Sequence, residues 1–317
     1  MPSDLLQAPN NQPLRLLILG AGALGRLWAS LFSPHCPVTF LTRTSESADT
    51  LHYRYQSPDG KHIRDYAIPT IPAGHSQPGR PPLLLWVTTK APATLAALEA
   101  ALPGLPPATP VVLFQNGLGS QQAVATRFPD HPVLAATTTE GANRPAPDLL
   151  RHAGHGRTVW GAITAAGEPW AAKMQTLFDA AGVQGEYSED IYEDLWNKLA
   201  INAGINPFTL ILECRNGELA GSDYFEARIS PLCGEIAAIM TANGYPREPQ
   251  ALEARIREVA TATAANRSSM LQDYQARRAT EIDYINGFLV REANRLGLDA
   301  PINQALVDAV RGKTANF

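Results

Sequence analysis

The sequence predicts an α/β Rossmann-like N-terminal domain followed by an all-α C-terminal domain. Three observations carry this. A glycine turn, Gly20-Ala21-Gly22-Ala23-Leu24-Gly25, sits between an apolar run and a helix-like stretch; short β-rich runs alternate with helical ones up to about residue 188; and strand signals vanish beyond it. The expected division is a disordered leader over 1–13, a nucleotide-binding domain over 14–188 and a helical substrate and catalytic domain over 189–317.

The leader carries Pro2, Pro9 and Pro13 and lacks both the basic start and the apolar centre of a signal peptide. The run 16–19 then reads as a buried strand, and residues 24–32 read as a helix. The G-x-G-x-x-G spacing between them lets backbone approach a pyrophosphate, whose charge is met by amide hydrogens and the positive end of the helix. A second strand is expected over 38–41. At its end a dinucleotide site selects its ribose, and the chain offers Thr42, Arg43 and Thr44 where NAD-preferring sites place an acid. A guanidinium would pair with a 2′-phosphate, so NADP(H) is the expected cofactor, with Arg43 as the phosphate clamp. The competing reading leaves Arg43 solvated and gives the acidic role to Glu46.

Further along, 51–56 and 62–67 flank Pro58-Asp59-Gly60 as a hairpin. Residues 83–87, 110–114 and 133–138 read as buried strands, and 93–102 as a helix. Residues 151–155 and 157–161 look like strand, turn and strand, and 169–181 is a helix stopped by Gly182. From Ser188, a helix cap followed by acidic residues, five helical segments are expected over 189–212, 219–243, 248–264, 269–296 and 302–312.

Composition bounds the function. The 317 residues suit two domains, the net charge of -4 argues against a nucleic-acid footprint, and no apolar run reaches the ~18 residues of a membrane span. Three distant cysteines have no metal-ligand spacing, so no metal site is expected, and buried thiols of a cytoplasmic protein are the default.

In the first C-terminal helix, Ile191, Leu195, Lys198, Asn202 and Ile205 fall on one stripe, so a cation and an amide interrupt an apolar face. Uncompensated burial of an ammonium is costly, and that face should therefore line a polar cleft. No histidine follows His155, which leaves Lys198 as the best proton donor in the helical half. Periodicity alone reads 269–296 as an amphipathic helix with Glu281 solvated.

The glycine turn, Val87-Thr-Thr-Lys90, Asn116-Gly-Leu-Gly119, Thr137-Thr-Thr139, Leu195-Trp-Asn-Lys198-Leu-Ala-Ile-Asn202, Ile205-Asn206-Pro207 and Asn216-Gly-Glu-Leu219 together resemble the ketopantoate reductase family. Ser268-Ser-Met-Leu-Gln-Asp273 and Thr280-Glu-Ile-Asp-Tyr-Ile-Asn-Gly287 are the most specific of these, and the likeness runs from Leu16 to about Lys313. The resemblance implies reduction of 2-dehydropantoate to (R)-pantoate by NADPH, a step toward pantothenate and coenzyme A. It implies Lys198 as the catalytic lysine and Glu281 as the acid where nicotinamide and substrate meet. By the same likeness Asn202, Asn206 and Asn216 contact substrate, Ser269, Met270, Leu271 and Gln272 help hold its carboxylate end, and Lys90, Asn116 and Ala142 lie on the cofactor side, Asn116 also reaching substrate. Glu140, after the threonine triplet, departs from the pattern. The alternatives are a reductase of another branched 2-oxo acid and a non-enzymatic NADP(H) sensor; oligomeric state is open, a homodimer included.

Overall fold

A strand that begins the described chain, β1 (Arg15–Leu19), is apolar and almost wholly buried on both faces, as a central parallel strand must be. The computed structural model describes residues 14–43, 49–75, 83–315 and 317; the leader, Thr44 and Glu46 lie outside the described residues. Around β1 the chain lays down α1 (Ala23–Phe32), β2 (Val38–Thr42), β3 (Thr50–Gln56), β4 (Ile63–Pro72), β5 (Leu83–Val87), α2 (Thr94–Ala101), β6 (Val111–Leu113), α3 (Ser120–Arg127) and β7 (Val133–Thr138). It continues with β8 (Gly141–Ala146), β9 (Leu149–Gly154), β10 (Thr158–Ala162), α4 (Glu168–Ala181) and β11 (Gly185–Tyr187). The sheet order is β11-β10-β7-β6-β5-β1-β2-β4-β3-β9-β8, and β7, β6, β5, β1 and β2 run parallel to their neighbours in that series. Crossover strands with helices between them give the doubly wound pattern expected of a dinucleotide-binding sheet.

Its core is aromatic. Trp28 of α1 meets Trp86 of β5 edge to face at 5.7 Å, Phe32 meets Trp86 at 5.0 Å, and Phe178 of α4 stacks on Trp160 at 4.7 Å. Each such ring, fully buried, contributes about 1.5–3 kcal/mol, so α1 is held firmly against the strands that flank the glycine turn.

Among the described residues the second unit holds α5 (Ile191–Leu212), α6 (Asp223–Ala242), α7 (Pro249–Ala262), α8 (Ser269–Gln275), α9 (Asn286–Leu296) and α10 (Pro301–Thr314), and no strand. Chain contacts group Asn116–Gly119 and Tyr192–Phe317 into this unit, and the described residues up to Gln115 with Ser120–Ile191 into the other. Asn116–Gly119 joins the helices because Leu118 N donates to the Tyr284 carbonyl at 3.0 Å. Polar side chains knit the helices: Asn286 Nδ2 donates to the Ala203 carbonyl of α5 and to Asn303 Oδ1 of α10. Asn303 Nδ2 and the Ile302 and Asn303 amides in turn donate to Glu235 of α6. The carboxylate thereby meets orphan amides at the start of α10.

Several expectations need correction. Strands do occupy 149–154 and 158–162, but they do not pair with each other: β9 lies between β3 and β8, and β10 between β7 and β11. Two strands and a helix escaped the sequence reading, namely β8, whose Gly141-Ala-Asn-Arg-Pro run has little β-propensity, the three-residue β11, and α3. The helix expected from 189 starts at Ile191, and residues 216–221 form a 3₁₀ turn ahead of α6. The single helix expected over 269–296 is broken into α8, a 3₁₀ turn over Ile282–Tyr284 and α9. Arg277 ends α8 at a positive φ of 50°, and the Arg278 amide closes back onto the Asp273 carbonyl at 2.9 Å. Glycine usually marks such a stop; here arginine fills the left-handed position, so the break leaves no sequence signal. Of the cysteines, Cys36 and Cys233 are buried and their thiols are pushed up to about 12 by desolvation, whereas Cys214 is only half-buried.

Candidate active site

In the α/β unit, the glycine turn is shaped by what surrounds it. A Cβ on Gly25 would stand 2.0 Å from the Gly20 carbonyl oxygen and 2.7 Å from Thr88 Oγ1, so only glycine lets α1 begin this close to the turn. Thr88 Oγ1, at the end of β5, donates to the Gly20 carbonyl at 2.7 Å and holds the loop in that form. Gly22, the residue preceding α1, has an extended backbone, no capping side chain and open space where a Cβ would project. Gly20 to Gly25, Ala21, Ala23 and Leu24 included, therefore form a cradle with first-turn amides of Ala23 and Leu24 at its mouth, which fits a pyrophosphate. At the end of β2, Arg43 is exposed, and Thr42 Oγ1 is buried with no hydrogen-bond partner among the described residues, a hydroxyl suited to a ribose or phosphate oxygen. Lys90 is exposed just after β5 and Ala142 is half-buried on β8.

In the helical unit, α5 carries Lys198 on the stripe anticipated, flanked by buried Leu195, Leu199 and Ile205. The lysine is half-buried by surface area, yet protein packed around its ammonium lowers its pKa to about 8. Desolvation is the larger cause; the negative charge of Glu281 opposes it and draws the value back up. Glu281 is 4% exposed, which corrects the solvated reading, because the break after α8 turns its carboxylate inward. Asn116 Nδ2 donates to Glu281 Oε2 at 3.1 Å. The Glu281 carboxylate thus acts on the lysine through its charge and on the amide through a hydrogen bond, a setting that holds a proton on a group poised close to neutral pH.

The other expected substrate residues divide into two kinds. Asn202 is half-buried and Asn206 and Asn216 are buried on or just after α5. Asn216 donates through Nδ2 to Thr263 Oγ1 at 2.8 Å, while its Oδ1 is buried with no partner among the described residues, an acceptor suited to a substrate hydroxyl. At the start of α8, Ser269 is exposed, Gln272 is half-buried and donates to the Arg267 carbonyl, and Met270 and Leu271 point into the helical core at 2% and 1% exposure. The side chain that fixes this corner is Ser268, which sequence reasoning passed over. Its Oγ accepts from the Leu271 amide as the α8 cap and from Thr209 Oγ1 of α5 at 2.6 Å, and Thr209 also donates to the Asn206 carbonyl. A serine before an apolar helix start was the available signal.

A cradle for a dinucleotide on an α/β sheet, together with a lysine–carboxylate–amide cluster on a helical domain, defines the class of dinucleotide-dependent reductases with an appended helical domain. Models of the family described as Ketopantoate reductase PanE/ApbA match residues 16–165, and the C-terminal model of that family matches residues 190–314. The chain belongs to the ketopantoate reductase family. It is 34% identical over 299 residues to the 2-dehydropantoate 2-reductase of Vibrio cholerae, covering 94% of this chain and 97% of that one. It is 31% identical to the enzyme of the same name from Shigella flexneri, with 96% of each chain covered. Among solved structures, a PanE/ApbA family ketopantoate reductase from Ralstonia eutropha superposes with a TM-score of 0.80 at 25% identity, over 95% of this chain and 98% of that one. D-mandelate dehydrogenase in a ternary complex with NADH and anilino(oxo)acetate reaches a TM-score of 0.86 over 95% and 98% of the two chains. At 21% identity it shares the fold alone.

Proposed function

We propose that this protein reduces 2-dehydropantoate to (R)-pantoate with NADPH, the step its near-full-length relatives are named for. The observation that carries the reading is the Lys198 ammonium, its pKa lowered to about 8 by desolvation against the charge of Glu281, to which Asn116 donates, in a chain matched by the family's two models. The α/β unit is proposed as the nucleotide-binding domain, with Gly20 to Gly25 holding the pyrophosphate, Arg43 the 2′-phosphate, and Lys90 and Ala142 further cofactor contacts; Asn116, grouped with the helices, is proposed as another. When bound, NADPH supplies the hydride. The helical unit is proposed to hold the substrate through Asn202, Asn206 and Asn216 and through the start of α8, where Ser269 and Gln272 offer side chains and the Met270–Leu271 segment its backbone.

Lys198 hydrogen-bonds the 2-oxo oxygen, stabilises the alkoxide charge as it develops and delivers its proton there, leaving a neutral amine. Glu281 keeps that proton on the nitrogen until it is needed and, with Asn116, fixes the orientation of the ammonium. Because an amide both donates and accepts, the asparagines suit a substrate with hydroxyl and oxo groups. A free 2-oxo acid is the proposed partner, in the cytoplasm and without nucleic acid or membrane; the net charge of -4 supports this, and among the described residues no helix is long and apolar enough to cross a membrane.

A coupled assay following NADPH absorbance against a panel of 2-oxo acids tests the substrate. The highest kcat/KM is expected for 2-dehydropantoate, and a preference for an aromatic or unbranched 2-oxo acid would redirect the assignment. The pH profile tests the donor. Lys198 must be protonated to act, so kcat/KM for reduction is expected to hold below about pH 8 and fall above it. Since Glu281 raises the lysine pKa, Glu281→Gln should shift that alkaline limb to lower pH; a shift upward, or none, contradicts the pairing.

A further inference from the structure

The residue that departs from the family pattern, Glu140, lies in the α/β unit with its side chain only 4% exposed, and its Oε2 is 2.6 Å from Nε2 of His152, itself 1% exposed. A carboxylate taken out of water needs a cation close by. The other ring nitrogen of His152, Nδ1, is 2.8 Å from the hydroxyl of Tyr55 on β3, so the imidazole is held at both ends. His155 stands against this pair from the solvent side, its ring 4.8 Å from that of His152. One ligand atom from each of Glu140, His152 and His155 lies within 4.8 Å of the others. The turn that brings them together depends on Gly156: a Cβ there would stand 2.3 Å from the Glu140 amide nitrogen, so any larger residue would push the turn after His155 away from Glu140.

We propose that Glu140, His152 and His155 form a binding site for a divalent cation of the zinc class. Two imidazoles and a carboxylate are a donor set that zinc takes readily, with solvent in the fourth position on the exposed His155 side. In a tetrahedral site with bonds of about 2.0–2.1 Å the ligand atoms stand roughly 3.3 Å apart. The cluster therefore needs a small opening of the Glu140–His152 pair and a small advance of His155. In that state Nε2 of His152 presents its lone pair to the metal, and Nδ1–H donates to the Tyr55 oxygen, the outer hydrogen bond that fixes the tautomer of a ligating histidine. The ion would tie β3 and β9 to the turn after Thr139, within the α/β unit and without a part in the reduction.

Isothermal titration of the untagged, chelator-stripped protein with ZnCl2 at pH 7.5 tests the site. The expected result is about one equivalent bound per chain, at least tenfold weaker binding in His155→Ala and in Glu140→Gln, and a loss of about 10–100-fold in Tyr55→Phe. His155 is exposed, so its replacement leaves the fold intact. Zinc should accordingly raise the melting temperature of the parent protein and leave that of His155→Ala unmoved. Two outcomes overturn the proposal. An absence of zinc binding would make the pair a proton-bridged contact only, and equal binding by the parent and both ligand variants would put the metal elsewhere, the half-buried Cys214 included.

Discussion

Lys198→Ala is expected to lower the turnover of 2-dehydropantoate reduction by about 10²–10⁴-fold, the range a positioned proton donor supplies. The effect should fall on kcat more than on KM, because the ammonium is worth most once the carbonyl oxygen has become an alkoxide. Binding of NADPH, followed by quenching of its fluorescence, should be nearly unchanged, which separates loss of chemistry from loss of fold. The variant should also lose the alkaline limb near pH 8, since the group that titrates there is gone. A small primary amine added to the buffer should restore part of the rate by standing in for the missing ammonium. If turnover survives the substitution, or if the limb remains in the alanine variant, another group carries the proton and Lys198 belongs to the structure of α5.

Lys198 was legible in the sequence because of an interruption: apolar spacing on both sides fixes the face, and a cation on that face must have a partner. Glu281 was not, for two reasons that act together. The stop after α8 is made by Arg277 in a left-handed conformation, which no glycine announces, and without that stop the apolar spacing of Leu271, Ile282 and Ile285 continues as one helix with Glu281 on its polar side. Only the resemblance to a family attached a role to it. The parallel strands β1 and β5 were legible because burial on both faces writes residues 16–19 and Leu83–Val87 as unbroken apolar runs. By contrast β8 carries Gly141, Arg144 and Pro145 and owes its extension to the pairing with β9, a non-local cause that local pattern cannot record. The same holds for Glu140, His152 and His155: a gap of 12 residues between the first two is closed by an antiparallel register, not by a motif spacing.

Arg43→Ala is expected to raise KM for NADPH by about 10–100-fold, the factor that one or two charge-assisted hydrogen bonds to a phosphate supply, and to leave KM for NADH almost unchanged. The difference follows from position. Arg43 is exposed immediately after β2, the strand whose end meets the ribose in a sheet of this winding order, so its guanidinium is available to a 2′-phosphate and has nothing to bind on a 2′-hydroxyl. Thr42 next to it, whose buried hydroxyl has no partner among the described residues, adds a polar contact that either cofactor can use. The preference for NADPH over NADH should therefore collapse through one cofactor and not both, and the change should shrink as salt is added, since an exposed phosphate–guanidinium pair is screened. Arg43→Lys should recover part of the preference, because an ammonium keeps the charge and loses the two-pronged geometry. Equal increases in KM for the two cofactors, or no change in either, would remove Arg43 from the site and leave the choice between NADP(H) and NAD(H) to some other group.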